Sequence, residues 1–378
     1  MAFVPMRVAL IYDMDACKGP TGVTRHAMAQ LRGLAREPQI ALQAISGRIT
    51  EPDGRAFWES LAPLRRHKLP LRTRDMLRAW RLVSWPSIEF WSGEVDWIYA
   101  PAEYFVPTRK AKLAVTSHDV LQDVRFGGER RRERLAKAFG AADLILSVSK
   151  FNTEQLIEHF PSCHDRVAYV PNGAEDLFFE PATEHERNSV RADLRLPATM
   201  PFLLSVANFQ ERKNLVRLIR AAGRLSEVRN GEMAVVLLGD GSESEARSIR
   251  EEIEKLGSKV IIRMPGYRQG LALRAIYSEA LALVFPSLCE SFGIPAVEAM
   301  ACGCPALLAD STALPEVGGE AGWYFEPENE DAISETIRNM IDLPAERATK
   351  VQKGREIASG WRWAGANERL IRELLERR

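Results

Sequence analysis

Glu290 and Glu298 stand with seven residues between them, bracketing Ser291, Phe292, Gly293, Ile294 and Pro295. The apolar run from Ala282 to Phe285 reads as a strand, and the stretch from Pro295 onward as a helix stopped by Gly303 and Pro305. Proline suits a first helical turn because its missing N–H has no intrahelical partner there, and glycine followed by proline ends a helix. The loop amides of Ser291 to Ile294 are therefore expected to point outward at a helix amino end. There, unpaired N–H groups and the positive end of the helix dipole suit an anion such as a diphosphate. Two carboxylates beside such a site would repel phosphate, so their expected task is to accept hydrogen bonds from neutral hydroxyls, those of a sugar and a ribose. Taken alone, Glu298 reads as a solvated helix face or a cap.

A second group is the run Ser205-Val206-Ala207-Asn208-Phe209-Gln210-Glu211-Arg212-Lys213-Asn214, between a strand beginning at Phe202 and a helix starting near Leu215. Departure of a nucleoside diphosphate builds negative charge on its bridging oxygen. A positioned Lys or Arg stabilises that charge most where water is excluded. An Arg-Lys pair by itself reads as surface charge. In the first half, Thr116-Ser117-His118-Asp119 follows a core strand, and Gly19-Pro20-Thr21-Gly22 forms a glycine-rich turn between strand and helix. A lone histidine such as His118 is more often structural, and a turn of this kind is common in α/β proteins.

Positioning these groups requires strands whose carboxyl ends carry the loops. Short apolar runs at Arg7–Tyr12, Ile40–Ile45, Trp97–Ala100, Lys112–Thr116 and Leu144–Val148 alternate with helical stretches, and a second series opens at Phe202. This is the pattern of two doubly wound α/β halves with parallel sheets, whose ligands sit beyond the strands' carboxyl ends. The expected division is an amino-terminal, acceptor-binding Rossmann-like domain over 1–176, a polar linker over 177–198, a nucleotide-sugar-binding Rossmann-like domain over 199–358, and a helix over 359–378. The two domains are expected to face each other across a cleft.

The Glu290 to Glu298 stretch resembles the Glu, seven residues, Glu motif of retaining glycosyltransferases of family four (glycosyl transferases group 1), which have the GT-B fold. Pro286-Ser287 before it, Ala299-Met300-Ala301-Cys302-Gly303-Cys304-Pro305 after it, and Leu314-Pro315-Glu316-Val317 follow the same pattern. The resemblance implies that Glu290 holds donor-sugar hydroxyls and Glu298 the ribose. It further implies that Lys213, with Arg212 secondary, binds the diphosphate, and that His118 meets the donor's hydroxymethyl group. Ser291, Phe292, Gly293, Ile294, Asn208 and Gly22 complete the implied donor site, and the carboxyl-terminal helix is implied to pack on the first domain. Ser291 and Ala207 depart from the family, which more often has Gly at both. In general look the chain resembles bacterial surface-polysaccharide mannosyltransferases, which makes GDP-mannose the first donor expected and UDP-sugars the next. The acceptor would be a saccharide or a lipid-linked saccharide. A GT-B epimerase or phosphorylase and a nucleotide-sugar-binding scaffold are the rival readings.

The 51 basic residues balance 51 acidic ones, which speaks against a nucleic-acid partner. No run reaches about 18 apolar residues, so neither a membrane span nor a signal peptide is expected, and the chain is read as cytoplasmic. Five cysteines without ligand spacing read as reduced thiols. No metal or other cofactor is expected: Asp13-Met14-Asp15 belongs to a first-strand loop, Cys302-Gly303-Cys304 lacks a partner pair, and Gly239-Asp240-Gly241 lacks the last glycine of a dinucleotide fingerprint. Two basic stretches, Arg65 to Arg81 and Arg130 to Lys137, read first as solvated faces. With Leu77, Trp80, Leu82 and Trp85 interspersed, they would also suit peripheral contact with an anionic membrane.

Overall fold

The computed structural model describes residues 4–18, 21–197, 199–229, 233–257 and 260–378; Gly19 and Pro20 of the glycine-rich loop lie outside the described residues. The chain divides into two compact units, Met1–Gly173 with Trp363–Arg378, and Ala174–Arg362.

Unit 1 is built on strands β1 (Met6–Ile11), β2 (Ile40–Ser46), β3 (Arg65–Lys68), β4 (Trp97–Ala100), β5 (Lys112–Ser117), β6 (Leu144–Ser147) and β7 (Val167–Tyr169). Among the described residues they form one parallel sheet in the order β3-β2-β1-β4-β5-β6-β7. Val8 and Leu10 of β1 enter the core on one face, Ala9 and Ile11 the core on the other. Both faces are covered, which is why the strand reads as an unbroken apolar run and not as an alternation. The first face also holds Ala27, Leu31 and Leu34 of the helix Gly22–Arg36, with Leu370, Ile371 and Leu374 of the helix Trp363–Glu376. β3 has no apolar signature: Arg65, Arg66 and Lys68 are exposed because the strand is the sheet's edge, where charge discourages further pairing.

Unit 2 carries β8 (Phe202–Val206), β9 (Ala234–Leu238), β10 (Ile261–Gly266), β11 (Ala282–Phe285), β12 (Ala306–Ala309) and β13 (Trp323–Phe325). The described strands are again parallel, in the order β10-β9-β8-β11-β12-β13. The stretch 177–198, expected as a linker, contains the helix Glu184–Asp193 and belongs to unit 2. Thr183 and Glu186 close a capping box at its start, and Glu186 pairs with the buried Arg274 at 2.7 Å. Its acidic composition is thus a helix amino end, where carboxylates satisfy N–H groups and the dipole. The chain enters unit 2 beside the point where it leaves: Ala174 N donates to Trp361 O at 2.8 Å, and Arg362 pairs with Asp176 at 2.8 Å.

Candidate active site

The carboxyl ends of β8, β11 and β12 converge in unit 2. After β8 the chain makes a short 3-10 turn over Glu211–Lys213, which ends on Asn214 in the left-handed region, φ 59° and ψ 30°. The Asn214 amide donates to Pro286 O at 3.0 Å and to Pro327 O at 2.7 Å. Those two bonds fasten the turn to the end of β11 and to the segment following β13. Leu288 N donates to Arg212 O at 2.8 Å, and Arg212 Nη1 donates to Cys289 O at 2.9 Å. The loop after β8 and the loop after β11 are therefore one connected structure.

In it, Lys213 Nζ donates to Glu290 Oε1 at 2.5 Å, and Arg212 Nη1 lies 3.7 Å from Glu290 Oε2. Lys213 and Glu290 are both buried, and the Lys213 ammonium sits 5.7 Å from the centre of the Phe285 ring. From above, Thr312 Oγ1 accepts the N–H of Glu290 at 3.0 Å. One carboxylate held between two cations leaves a net positive charge at the carboxyl edge, a suitable place for a diphosphate.

The adjoining loop ends at Gly293, which caps the helix Ile294–Ala301 with φ 102°. A side chain there would be strained by that φ and would bring a Cβ within 2.7 Å of Leu314. Ala296 N donates to Gly293 O at 2.9 Å, so backbone bonding of the helix starts at that point. Phe292 is buried and packs edge-on against Trp361 at 5.5 Å, an anchor for the loop. Neither Ser291 nor Ala207 has positive φ, so the two departures from glycine introduce no backbone strain. Glycine is needed instead at Gly239, where a Cβ would lie 1.8 Å from Ala207 O.

Glu298 is fully buried, and the Tyr277 hydroxyl donates to its Oε2 at 3.2 Å. The solvated-face reading of Glu298 does not hold, because its side of the helix turns inward onto the helix Gly270–Glu279. Asn208 Oδ1, Ser205 Oγ and Ser287 Oγ are buried at the same edge without a hydrogen-bond partner in the chain. Buried polar atoms are nearly always paired, and at a strand's carboxyl end the Asn208 oxygen can accept, and the two serine hydroxyls donate or accept, hydrogen bonds with a ligand. Tyr277 and Thr312 have no place in the sequence reading, and Asn214 enters it only as the last residue of the run after β8. Their roles depend on residues distant along the chain, and only the αL preference of asparagine offered a local signal.

His118 and Gly22 belong to unit 1. His118, at the carboxyl end of β5, is buried, and its Nε2 donates to Pro101 O at 3.0 Å while its backbone N–H donates to Glu103 at 2.5 Å. Burial pushes the Glu103 carboxyl above its ordinary range. The ring of His26 stands edge-on to His118 at 4.8 Å, with Nδ1 on Asn172 Oδ1 at 2.8 Å and Nε2 on the Tyr99 hydroxyl at 3.0 Å. Gly22 opens the first helix behind its cap, Thr21.

The discounted patterns have structural roles. Asp15 accepts from the N–H and hydroxyl of Thr50 and from the N–H of Glu51, tying its loop to the helix Pro52–Ser60. None of the five cysteines is in a disulfide. Burial pushes the thiol of Cys304 up to about 12 and that of Cys302 higher, so neither offers a thiolate at neutral pH.

Comparison with known proteins bears on this geometry. Residues 186–357 match the family model described as Glycosyl transferases group 1, and residues 20–176 the model described as Glycosyltransferase Family 4. The chain belongs to the group 1 glycosyltransferases. This glycosyltransferase is 28% identical over 388 residues to the O-antigen chain mannosyltransferase B of Escherichia coli, across 96% of this chain and 98% of that one. It is 31% identical over 242 residues to D-inositol 3-phosphate glycosyltransferase 1 of Catenulispora acidiphila, across 61% and 56%. In fold it matches the crystal structure of Anabaena HepE in complex with UDP and glucose with a TM-score of 0.78 at 16% identity, over 98% of this chain and 99% of that one. The glycosyltransferase is thus an enzyme of GT-B type, built of two Rossmann-like halves.

Proposed function

We propose that this glycosyltransferase transfers a sugar from a nucleotide-sugar onto a saccharide or lipid-linked saccharide in surface-polysaccharide synthesis, with retention at the anomeric carbon and mannose from GDP-mannose as the first donor. The observation that carries the reading is Glu290 held between Lys213 and Arg212 at the carboxyl edge of unit 2. As the bond from the sugar's anomeric carbon to the diphosphate breaks through an oxocarbenium-like state, the two cations take up the charge growing on the leaving oxygen. That oxygen accepts the proton of the attacking acceptor hydroxyl. Glu290, oriented by Lys213 and Thr312, accepts donor-sugar hydroxyls, and Glu298, oriented by Tyr277, accepts those of the ribose. In unit 1, His118 meets the donor sugar's hydroxymethyl group, and Gly22 opens the helix at the phosphates. The reaction is proposed to need no metal, since Arg212 and Lys213 supply the positive charge that a divalent cation would otherwise bring. The mannosyltransferase name of the Escherichia coli relative favours the GDP-mannose reading. UDP and glucose bound to HepE favour a UDP-sugar as the second.

The test is thermal unfolding with GDP, UDP, ADP and their sugars, in the presence of a chelator, for wild type and Lys213→Ala. A ligand at 100 times its dissociation constant adds about 2.7 kcal/mol, a shift of several degrees for a chain of this size. The expected result is a shift with one base that survives chelation and shrinks in the variant relative to its own ligand-free melting point. No shift with any nucleotide would remove the donor site, and a shift that disappears with chelation would remove the metal-free mechanism.

A further inference from the structure

Of the four apolar residues that sequence reading placed among the basic side chains of unit 1, Trp80 is fully buried in the core and Leu77 is partly buried. The exposed apolar surface lies just beyond them. Leu82, Val83, Trp85 and Phe90 are 87%, 61%, 75% and 75% exposed, the largest such values among the described large hydrophobic residues after residue 4. Large apolar side chains concentrated on one short segment at this exposure mark an interaction site. The segment is held rigidly. Trp80 Nε1 donates to Pro86 O at 2.9 Å, Ile88 N donates to Pro107 O at 2.9 Å, and Phe90 rests edge-on against Trp91 at 5.2 Å.

Trp85 and Phe90 line a hollow of about 1140 Å³ whose other walls come from the amino ends of β1, β4 and β5. Five basic side chains, Arg7, Arg109, Lys110, Lys112 and Arg378, border it against three acidic ones. Two of those acids offset part of the basic charge, Asp96 by pairing with Arg7 and Arg378 and Glu94 by pairing with Arg7 and Lys110. Glu89 accepts three backbone N–H groups, from Arg109, Lys110 and Ala111, at 2.7 to 3.1 Å. Asp96 accepts the N–H and guanidinium of Arg7, and Glu94 pairs with Lys110 at 3.4 Å. Arg78 and Arg81 lie on the helix Thr73–Leu82 that leads into this segment, Arg78 paired with Asp75 at 3.2 Å.

We propose that the surface of Leu82, Val83, Trp85 and Phe90, with its basic rim, docks this enzyme on an anionic lipid bilayer. Tryptophan, phenylalanine and leucine insert at the headgroup level, while flanking Arg and Lys meet anionic headgroups. A second copy fits the surface poorly, because a two-fold contact would lay the basic rim against itself. The surface is at the amino ends of the strands, the edge opposite to the one carrying His118, so docking leaves that edge open to an acceptor.

The test is sedimentation of the full chain with vesicles of phosphatidylcholine alone and of phosphatidylcholine mixed with phosphatidylglycerol. Binding to the mixed vesicles, weakened by salt, is the expected result. The variant Trp85→Ser/Phe90→Ser, whose melting temperature and circular dichroism should match wild type, is expected to bind about tenfold or more weakly. If it does not fold, Leu82→Ser/Val83→Ser takes its place with the same expectation. Absence of binding, equal binding to both vesicle types, or unchanged binding by a folded variant overturns the proposal. So does a dimer that the variant abolishes, which would assign the surface to a second copy.

Discussion

Glu290 and Lys213 form a buried pair whose members depend on each other. Removing one partner of such a pair leaves an uncompensated charge, at a cost of about 3–5 kcal/mol. Glu290→Gln is therefore expected to lower the melting temperature and to reduce turnover by roughly a hundredfold or more, the scale seen when one preorganised polar contact to a reacting group is lost. Glu290→Gln with transfer rates within twofold of wild type would take the carboxylate out of the reaction. The residue types and their spacing were legible in sequence. The direct contact between Glu290 and Lys213 was not, since the two are 77 positions apart and meet only because β8 and β11 are neighbours in the sheet. The burial of Glu298 was hidden for a similar reason: its partner Tyr277 lies on a different helix.

At the scale of the element, the decisive piece is the turn over Glu211–Lys213 and its closing Asn214. Alanine at this position would lose two hydrogen bonds to buried carbonyls and would occupy the left-handed region at a cost of about 1 kcal/mol. Asn214→Ala is expected to destabilise the enzyme by about 2–4 kcal/mol in urea unfolding and to raise the KM for the donor, because the turn carrying Lys213 loosens. Asn214→Gly, which accepts the φ but not the hydrogen bonds, should recover only the smaller part. Equal stability of the glycine variant and wild type would mean that the bonds to Pro286 and Pro327 contribute nothing. Buried strands such as β1, β8 and β11 were readable because burial on both faces makes them apolar runs. β3 was not, being a charged edge, and neither was the helix Glu184–Asp193, whose capping box looked like a polar linker.

At the scale of the whole molecule, unit 1 contains a titratable group that couples its stability to pH. Burial, reinforced by the neighbouring His118, pushes His26 well below its ordinary range, so it is neutral in the folded chain. In the unfolded chain it titrates near about 6.5, and in the interval between the two values the unfolded state holds more protons. The stability present above about pH 6.5 is consequently lost as pH falls, by up to about 1.4 kcal/mol per pH unit. Glu103, raised by burial, contributes a slope of the opposite sign. The comparison that isolates His26 is melting temperature from about pH 7.5 to about pH 5.5 for wild type and His26→Gln. The acid-side decline should be shallower in the variant, and identical slopes would show that His26 is not the group responsible.

From its sequence alone, this protein is legible as two parallel α/β halves with polar loops at the strands' carboxyl ends, and its motif residues place it among family-four glycosyltransferases. Those features are local: an apolar run, a helical period and a turn residue each act over a few positions. Only the tertiary structure decided that Lys213 and Arg212 share Glu290, that Glu298 is buried under Tyr277, and that Trp80 is core while Trp85 is exposed. Each of these depends on which distant segments pack together, and a side chain's charge environment and burial follow from that packing.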